Sequence, residues 1–106
     1  MLAMPTGFIN QAQLASEIDR VARKLGPGVV RLRHSLGADA GGEPAVHFRI
    51  LLTDAASRRE TLADVSGDIV RVLFEELRPL ENWGLYPYFR FRSQSEQLVL
   101  NDPAWE

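Results

Sequence analysis

The sequence predicts a single α+β domain in which two helices pack on one face of a three-stranded sheet, followed by a C-terminal arm. Its 106 residues can bury one hydrophobic core, but two halves could not each do so without metals or disulfides. Two segments carry apolar residues at helical spacing, and three carry them at every second position. These segments follow one another in the order α-β-β-α-β, which is compatible with a mixed or an antiparallel sheet.

The composition excludes several classes of protein. Hydrophobic residues make up 45% of the chain and charged residues 25%, so disorder and collagen-like repeats are excluded. The absence of cysteine excludes disulfide scaffolds, thiol catalysis and cysteine-based metal sites. The net charge of -2 predicts no general attraction to nucleic acids or anionic membranes. Because the first residues do not resemble a signal peptide and no apolar run could cross a bilayer, we expect a cytoplasmic protein without a membrane partner.

The first helix is predicted between Asn10, a good N-terminal capping residue, and Gly26. One stripe of this helix is apolar, as in a helix that covers a core. The stripe consists of Leu14, Ile18, Val21, Ala22 and Leu25. Residues 1–9 are expected to form an N-terminal extension, and residues 10–93 to form the domain.

Two strands follow, at Val29–Leu36 and Ala45–Thr53, and the turn-rich segment 37–44 joins them into an antiparallel hairpin. Pairing that sets apolar residues opposite apolar residues is favoured, because opposed residues share a face and a buried, unpaired arginine is costly. This pairing places His34 in the partly buried layer, with a hydrogen-bonding partner, and His47 on the other face. A metal site shared by the two histidines is therefore not expected.

The second helix is expected to start at the capping-box pattern formed by Ser57 and Glu60 and to end before Pro79. A third strand is predicted at Tyr86–Ser93. Pro87 cannot donate a hydrogen bond to a neighbouring strand, which indicates that this strand lies at an edge of the sheet.

The three strands sort their side chains by charge. The apolar face consists of Val30, Leu32, Phe48, Ile50, Phe89 and Phe91. The opposite face carries five of the 12 basic residues and no acidic residue. We call it the arginine face, and its predicted members are Arg31, Arg33, His47, Arg49, Tyr88, Arg90 and Arg92.

Residues 94–106 are predicted to form a short helix or an arm. Their large apolar residues are Leu98, Val99, Leu100 and Trp105. We expect these side chains to pack against another surface, with Trp105 as the main anchor, either on its own domain or on a partner. The acidic residues of this segment could lie on the arginine face, within one chain or from a second copy.

Three interpretations of the arginine face remain open from the sequence. The arginines can be the solvated side of a sheet, with their aliphatic stems spread over it. They can form a protein contact, because arginine and aromatic residues are enriched at interfaces. They can also bind single-stranded RNA or DNA, although the net charge of the chain disfavours this.

No residue pattern identifies a catalytic, cofactor-binding or metal-binding site. A weaker alternative is a small enzyme with a site at the sheet edge, which would need a deep pocket converging on His34 or His47. We therefore expect a non-enzymatic protein-interaction module or accessory subunit, with a protein partner or as a homodimer. Its contact surface would combine the arginine face with Trp105 and the rest of the arm.

Overall fold

The computed structural model describes residues 4–106 and confirms the α+β class. Two helices and three strands follow the predicted order, and short helical elements are added to them. The elements are α1 (Thr6–Ile9), α2 (Gln11–Ala22), β1 (Val29–Ala38), β2 (Pro44–Leu52), α3 (Leu62–Leu77), α4 (Pro79–Trp83), β3 (Tyr86–Ser93), α5 (Gln94–Leu100) and the 3₁₀ turn η1 (Pro103–Trp105).

The sheet is mixed, with the strand order β1-β2-β3. β1 and β2 are antiparallel, as the hairpin requires. β2 and β3 are parallel, because α3 carries the chain back to the end of the sheet at which β2 begins. The central strand is therefore β2. β3 lies at an edge, as Pro87 predicts, and β1 forms the other edge.

The pairing of β1 with β2 keeps the apolar residues together. His34 is paired with Phe48, and Ser35 is paired with His47, so the two histidines lie on opposite faces. The register shifts between Val29 and Arg31, where β1 contains an irregularity. One prediction is wrong for this reason: Val29 packs against the core, and Val30 is 39% exposed instead of buried.

One hydrophobic core lies between the helices and the sheet. β2 contributes Val46, Phe48, Ile50 and Leu52, which are inaccessible to solvent. The apolar stripes of α2 and α3 close the core from the same side; they are Leu14, Ile18 and Val21 from α2 and Ile69, Leu73 and Leu77 from α3. The two main helices therefore cover one face of the sheet and leave the arginine face without them.

The predicted start of the second helix is wrong. α3 begins at Leu62, and Ser57 and Glu60 lie in the turns that precede it. The hydroxyl of Ser57 donates a hydrogen bond to the main-chain oxygen of Thr53 at 3.0 Å, and that of Thr61 donates to Ala55 at 2.9 Å. These local hydrogen bonds stabilise a turn in place of the first helical turns.

Part of the expected N-terminal extension is helical. α1 packs its Phe8 against the core, and Gly7 lies directly against Leu85. A Cβ atom at position 7 would lie 2.5 Å from the Cδ1 atom of Leu85, so any other residue here would force the buried Leu85 side chain to shift. Residues 1–3 of the extension lie outside the described residues.

Candidate functional site

The register of the sheet arranges the arginine face in three rows that cross β1, β2 and β3. Opposed residues in neighbouring strands share a face, so each row brings three side chains together. The first row is Arg31, Leu51 and Arg92; the middle row is Arg33, Arg49 and Arg90; the third row is Ser35, His47 and Tyr88. The structure therefore brings together all seven residues predicted for this face.

The first row is covered by the C-terminal arm of the same chain. The guanidinium carbon of Arg92 lies 4.3 Å from the centre of the Trp105 ring, in a cation–π contact. Arg31 donates to the main-chain oxygen of Trp105 at 3.5 Å. Leu51, between the two arginines, is 5% exposed, and Trp105 is 3% exposed. Trp105 is thus an anchor on its own domain in this conformation.

The position of the arm is determined by α5. Ser93 and Glu96 form a capping box at its start: the Ser93 hydroxyl accepts from the Glu96 amide at 3.1 Å, and the Glu96 carboxylate accepts from the Ser93 amide at 3.0 Å. The Ser95 amide also donates to Asp54 at 3.0 Å. Asn101 then takes a left-handed conformation with φ of 49°, which turns the chain back onto the sheet.

A buried amide fastens the arm to α5 and to the sheet. The Gln97 side chain donates to the main-chain oxygen of Asp102 at 2.8 Å and to the Glu106 carboxylate at 3.0 Å. Its oxygen accepts from Arg92 at 2.8 Å. Because Gln97 is 7% exposed and has partners for both its oxygen and its nitrogen, it orients the first row and the arm together.

The middle row has hydrogen bonds but no side-chain carboxylate. Arg33 donates to the main-chain oxygen of Glu106 at 2.6 Å, and Arg49 donates to that of Ala104 at 2.7 Å and to the Ser35 hydroxyl at 3.0 Å. For Arg90, residues 4–106 provide no hydrogen-bonding partner. Within the same residues, no Asp or Glu side chain lies within 4.0 Å of a guanidinium nitrogen of this row. Three like charges therefore lie side by side with no side-chain carboxylate of residues 4–106 as a partner, an arrangement that disfavours the folded state.

The third row is aromatic and open to solvent. The rings of His47 and Tyr88 are stacked, with centroids 5.5 Å apart. The Tyr88 hydroxyl donates to the Asp39 carboxylate at 2.7 Å. This hydrogen bond raises the pKa of Tyr88 and lowers that of Asp39. It ties the hairpin loop to β3 and holds the Tyr88 ring beside Arg90.

Three apolar residues of the arm do not pack as expected. Leu98 is 84% exposed, Val99 is 85% exposed and Leu100 is 58% exposed. They project from α5, whose start is held by the capping box, and only Trp105 of the four predicted side chains is buried. The sequence identified these residues as apolar, but helical geometry decides that Gln97 faces inward and that they face outward.

The two histidines lie on opposite faces of the sheet and do not share a site. His34 is half-buried on the apolar face, and burial lowers its pKa, with a further contribution from the charge of Arg49. The predicted hydrogen bond of His34 is not found among residues 4–106. A groove of about 660 Å³ lies between α3 and the segment that joins α2 to β1. It is lined mainly by apolar side chains such as Leu25, Val65 and Val72, and neither histidine lines it.

Two further properties concern the described part of the chain. Between residues 4 and 106, no His, Asp and Glu side chains converge in a group of three that could hold a metal ion. No helix in this range combines the length and the apolar character needed to cross a membrane.

Comparison of the chain with protein-family models, curated proteins and solved structures finds no match.

Proposed function

We propose that this protein is a non-enzymatic interaction module that binds an acidic region of a partner protein on the arginine face. The observation that carries the proposal is the middle row, in which Arg33, Arg49 and Arg90 lie side by side and pair with no side-chain carboxylate of residues 4–106. A sheet that needed only a polar outer side would alternate charges, because opposite charges on neighbouring strands are favourable and like charges are not. The expected cytoplasmic location stays a prediction of the sequence.

A partner carboxylate supplies what the middle row lacks. Guanidinium groups bind carboxylates through two parallel hydrogen bonds, which adds geometric specificity to the charge attraction. Arg90 is exposed, and no side chain of residues 4–106 occupies it, so it can make such a contact. The arm limits how a partner can approach the middle row from the side of the first row. It occupies the first row and accepts hydrogen bonds from Arg33 and Arg49. The partner would therefore contact Arg90 and the third row.

Single-stranded nucleic acid is the second candidate ligand. The stacked rings of His47 and Tyr88 beside the arginine row favour it, because exposed rings next to guanidinium groups bind bases and phosphates. Two observations favour the protein contact over it. The whole chain carries a net charge of -2, and the arm already engages two of the three arginines of the middle row.

The experiment compares three labelled probes by fluorescence anisotropy: hexaglutamate, hexaglutamine and decathymidylate. We expect hexaglutamate to bind and hexaglutamine not to bind. Arg90→Gln should weaken hexaglutamate binding by about tenfold, since a hydrogen bond to a charged group contributes roughly 1.5 kcal/mol. The same variant should keep or slightly raise the free energy of unfolding, because it removes one of three adjacent like charges.

The matched control is Arg59→Gln, which removes an exposed arginine from the segment that precedes α3. It should leave hexaglutamate binding unchanged, since it alters the net charge by the same amount at another place. The proposal fails if the two peptides bind equally or if the two variants behave alike. Tighter binding of decathymidylate, with an affinity that falls steeply as salt rises, would replace it with the nucleic-acid function.

A further inference from the structure

We infer that the outer side of α5 and the adjacent end of β1 form a surface that binds a second copy of this chain. This surface uses different residues from those of the middle row, so the inference does not rest on the proposed function. It consists of an exposed apolar ridge, a shallow groove beside the ridge, and a rim that carries one charge of each sign.

The ridge consists of Leu98, Val99 and Leu100. At 84%, 85% and 58% exposure, these are among the most exposed large apolar side chains in the described part of the chain. Their backbone belongs to α5, which the capping box and the hydrogen bond between Asp54 and Ser95 hold in place. A folded, fixed helix that presents three consecutive apolar side chains to water is typical of a protein contact, not of a solvated surface.

The groove lies next to the ridge. It has a volume of about 250 Å³, and Val30, Leu51 and Leu98 form its apolar lining. Val30 is turned outward by the irregularity in β1, and Leu51 is 5% exposed beneath the arm. The wall is completed by polar groups of Gln94 and Asn101. An apolar side chain that enters this groove would lie on apolar residues and be surrounded by hydrogen-bonding groups, as at the centre of an interface.

The charges on the rim point to a second copy in preference to an unrelated partner. Arg31 and Glu106 both line the groove, with 3.9 Å between their nearest nitrogen and oxygen atoms. A two-fold contact places the same patch on both sides, so each patch must complement itself. This patch does so in shape, because ridge and groove are adjacent, and in charge, because Arg31 of each copy can face Glu106 of the other.

The first test is sedimentation velocity of the full chain over a series of concentrations. We expect a concentration-dependent dimer, and Val99→Asp should raise its dissociation constant at least about tenfold, as truncation of central interface residues does. The matched control is Ile9→Asp, which places the same charge on an apolar residue of α1 that is 65% exposed. A wild-type chain that stays monomeric, or an equal effect of the two variants, overturns the inference.

The second test exchanges the rim charges. Arg31→Glu and Glu106→Arg should each weaken the dimer about tenfold or more, because like charges then face each other across the two-fold axis. An equal mixture of the two variants should dimerise again as a heterodimer, since each copy then carries the charges that the other needs. A mixture that stays monomeric overturns the inference, whereas a loosened arm alone could not be repaired by mixing. Arg90→Gln should leave the dimer unchanged, which separates this result from that for the proposed function.

Discussion

Trp105 and Arg92 illustrate how single residues change the character of a sheet face. Without the tryptophan ring, the first row would expose Leu51 between two arginines. With the arm in place, the guanidinium of Arg92 lies on the tryptophan ring face at 4.3 Å, and Leu51 and Trp105 are both buried. The middle row receives no such cover for Arg90. The middle row, and not the first, therefore has an arginine that is accessible to a ligand.

His34 is expected to make the stability of the protein sensitive to mildly acidic pH. Burial lowers its pKa in the folded state from the ordinary value of 6.5. As the pH falls below 6.5, the unfolded chain takes up a proton at this position before the folded chain does, so the free energy of unfolding decreases. The effect is absent at pH values well above 6.5 and reaches its limit once the folded state is protonated as well.

The measurement is urea denaturation at several pH values between about pH 7.5 and 5, for the wild type and for His34→Gln. The wild type should lose stability over this range, and the variant should lose less. Asp39, Asp54 and Glu76, whose pKa values are lowered by hydrogen bonds, lose their contribution only at more acidic pH. Parallel curves for the two proteins above pH 5 would contradict the assignment to His34.

At the level of elements, the pattern of a serine three residues before a glutamate occurs at Ser57 and again at Ser93. Only the second occurrence is a capping box in the structure. Near Ser57, the hydroxyls of Thr53, Ser57 and Thr61 make turn hydrogen bonds that keep the helix from starting. At Ser93, the end of β3 places the serine in an extended conformation, which is the backbone that an N-terminal cap requires.

The capping box of α5 should contribute measurably to the stability of the domain. Ser93→Ala removes the acceptor for the Glu96 amide and should lower the free energy of unfolding by about 1 kcal/mol. The ridge depends on the same helix, so dimer formation should weaken as well. Ser16→Ala, at an exposed position within α2, provides the control: it should leave dimer formation unchanged and, because alanine favours helix, should not lower the free energy of unfolding. Equal stability of Ser93→Ala and the wild type would show that α5 is held by its other contacts alone.

The remaining elements follow the sequence to different degrees. β3 has the predicted bounds, and β1 and β2 differ from their predicted bounds by a few residues. Alternation of apolar and polar residues identifies such strands, because every second side chain enters the core. Val30 departs from the alternation since an extra residue in β1 shifts the register locally. α1 and α4 were missed because helices of 4 and 5 residues are too short to show a periodic stripe.

For the molecule as a whole, the arm is part of the domain instead of an appendage. Arg31 and Trp105 are 74 positions apart in the chain and are in contact across the sheet. The arm thereby gives the second face of the sheet a partial cover, which the helices do not provide. The arginine rows can bind a ligand because this second face of the sheet stays partly open.

Trp105→Ala should destabilise the whole domain. The side chain is 3% exposed, and replacement of a buried tryptophan by alanine costs about 3 kcal/mol or more. The loss should appear as a lower urea midpoint in one cooperative transition, because the arm covers Leu51 on the central strand. Trp105→Phe, which retains an aromatic ring beside Arg92, should lose less than half as much. A separate early transition of the arm, with the domain midpoint unchanged, would contradict this view.

The sequence by itself determined the class of the fold, the order of the main elements and the separation of apolar from basic side chains. These properties are encoded locally, in spacing and alternation, and need no knowledge of distant contacts. Only the tertiary structure decided that β3 runs parallel beside β2, that the arm covers one row, and that no side-chain carboxylate of residues 4–106 pairs with the middle row. These properties depend on contacts between residues that are far apart in the sequence. Such contacts are determined jointly by the burial of apolar surface and by the pairing of charges.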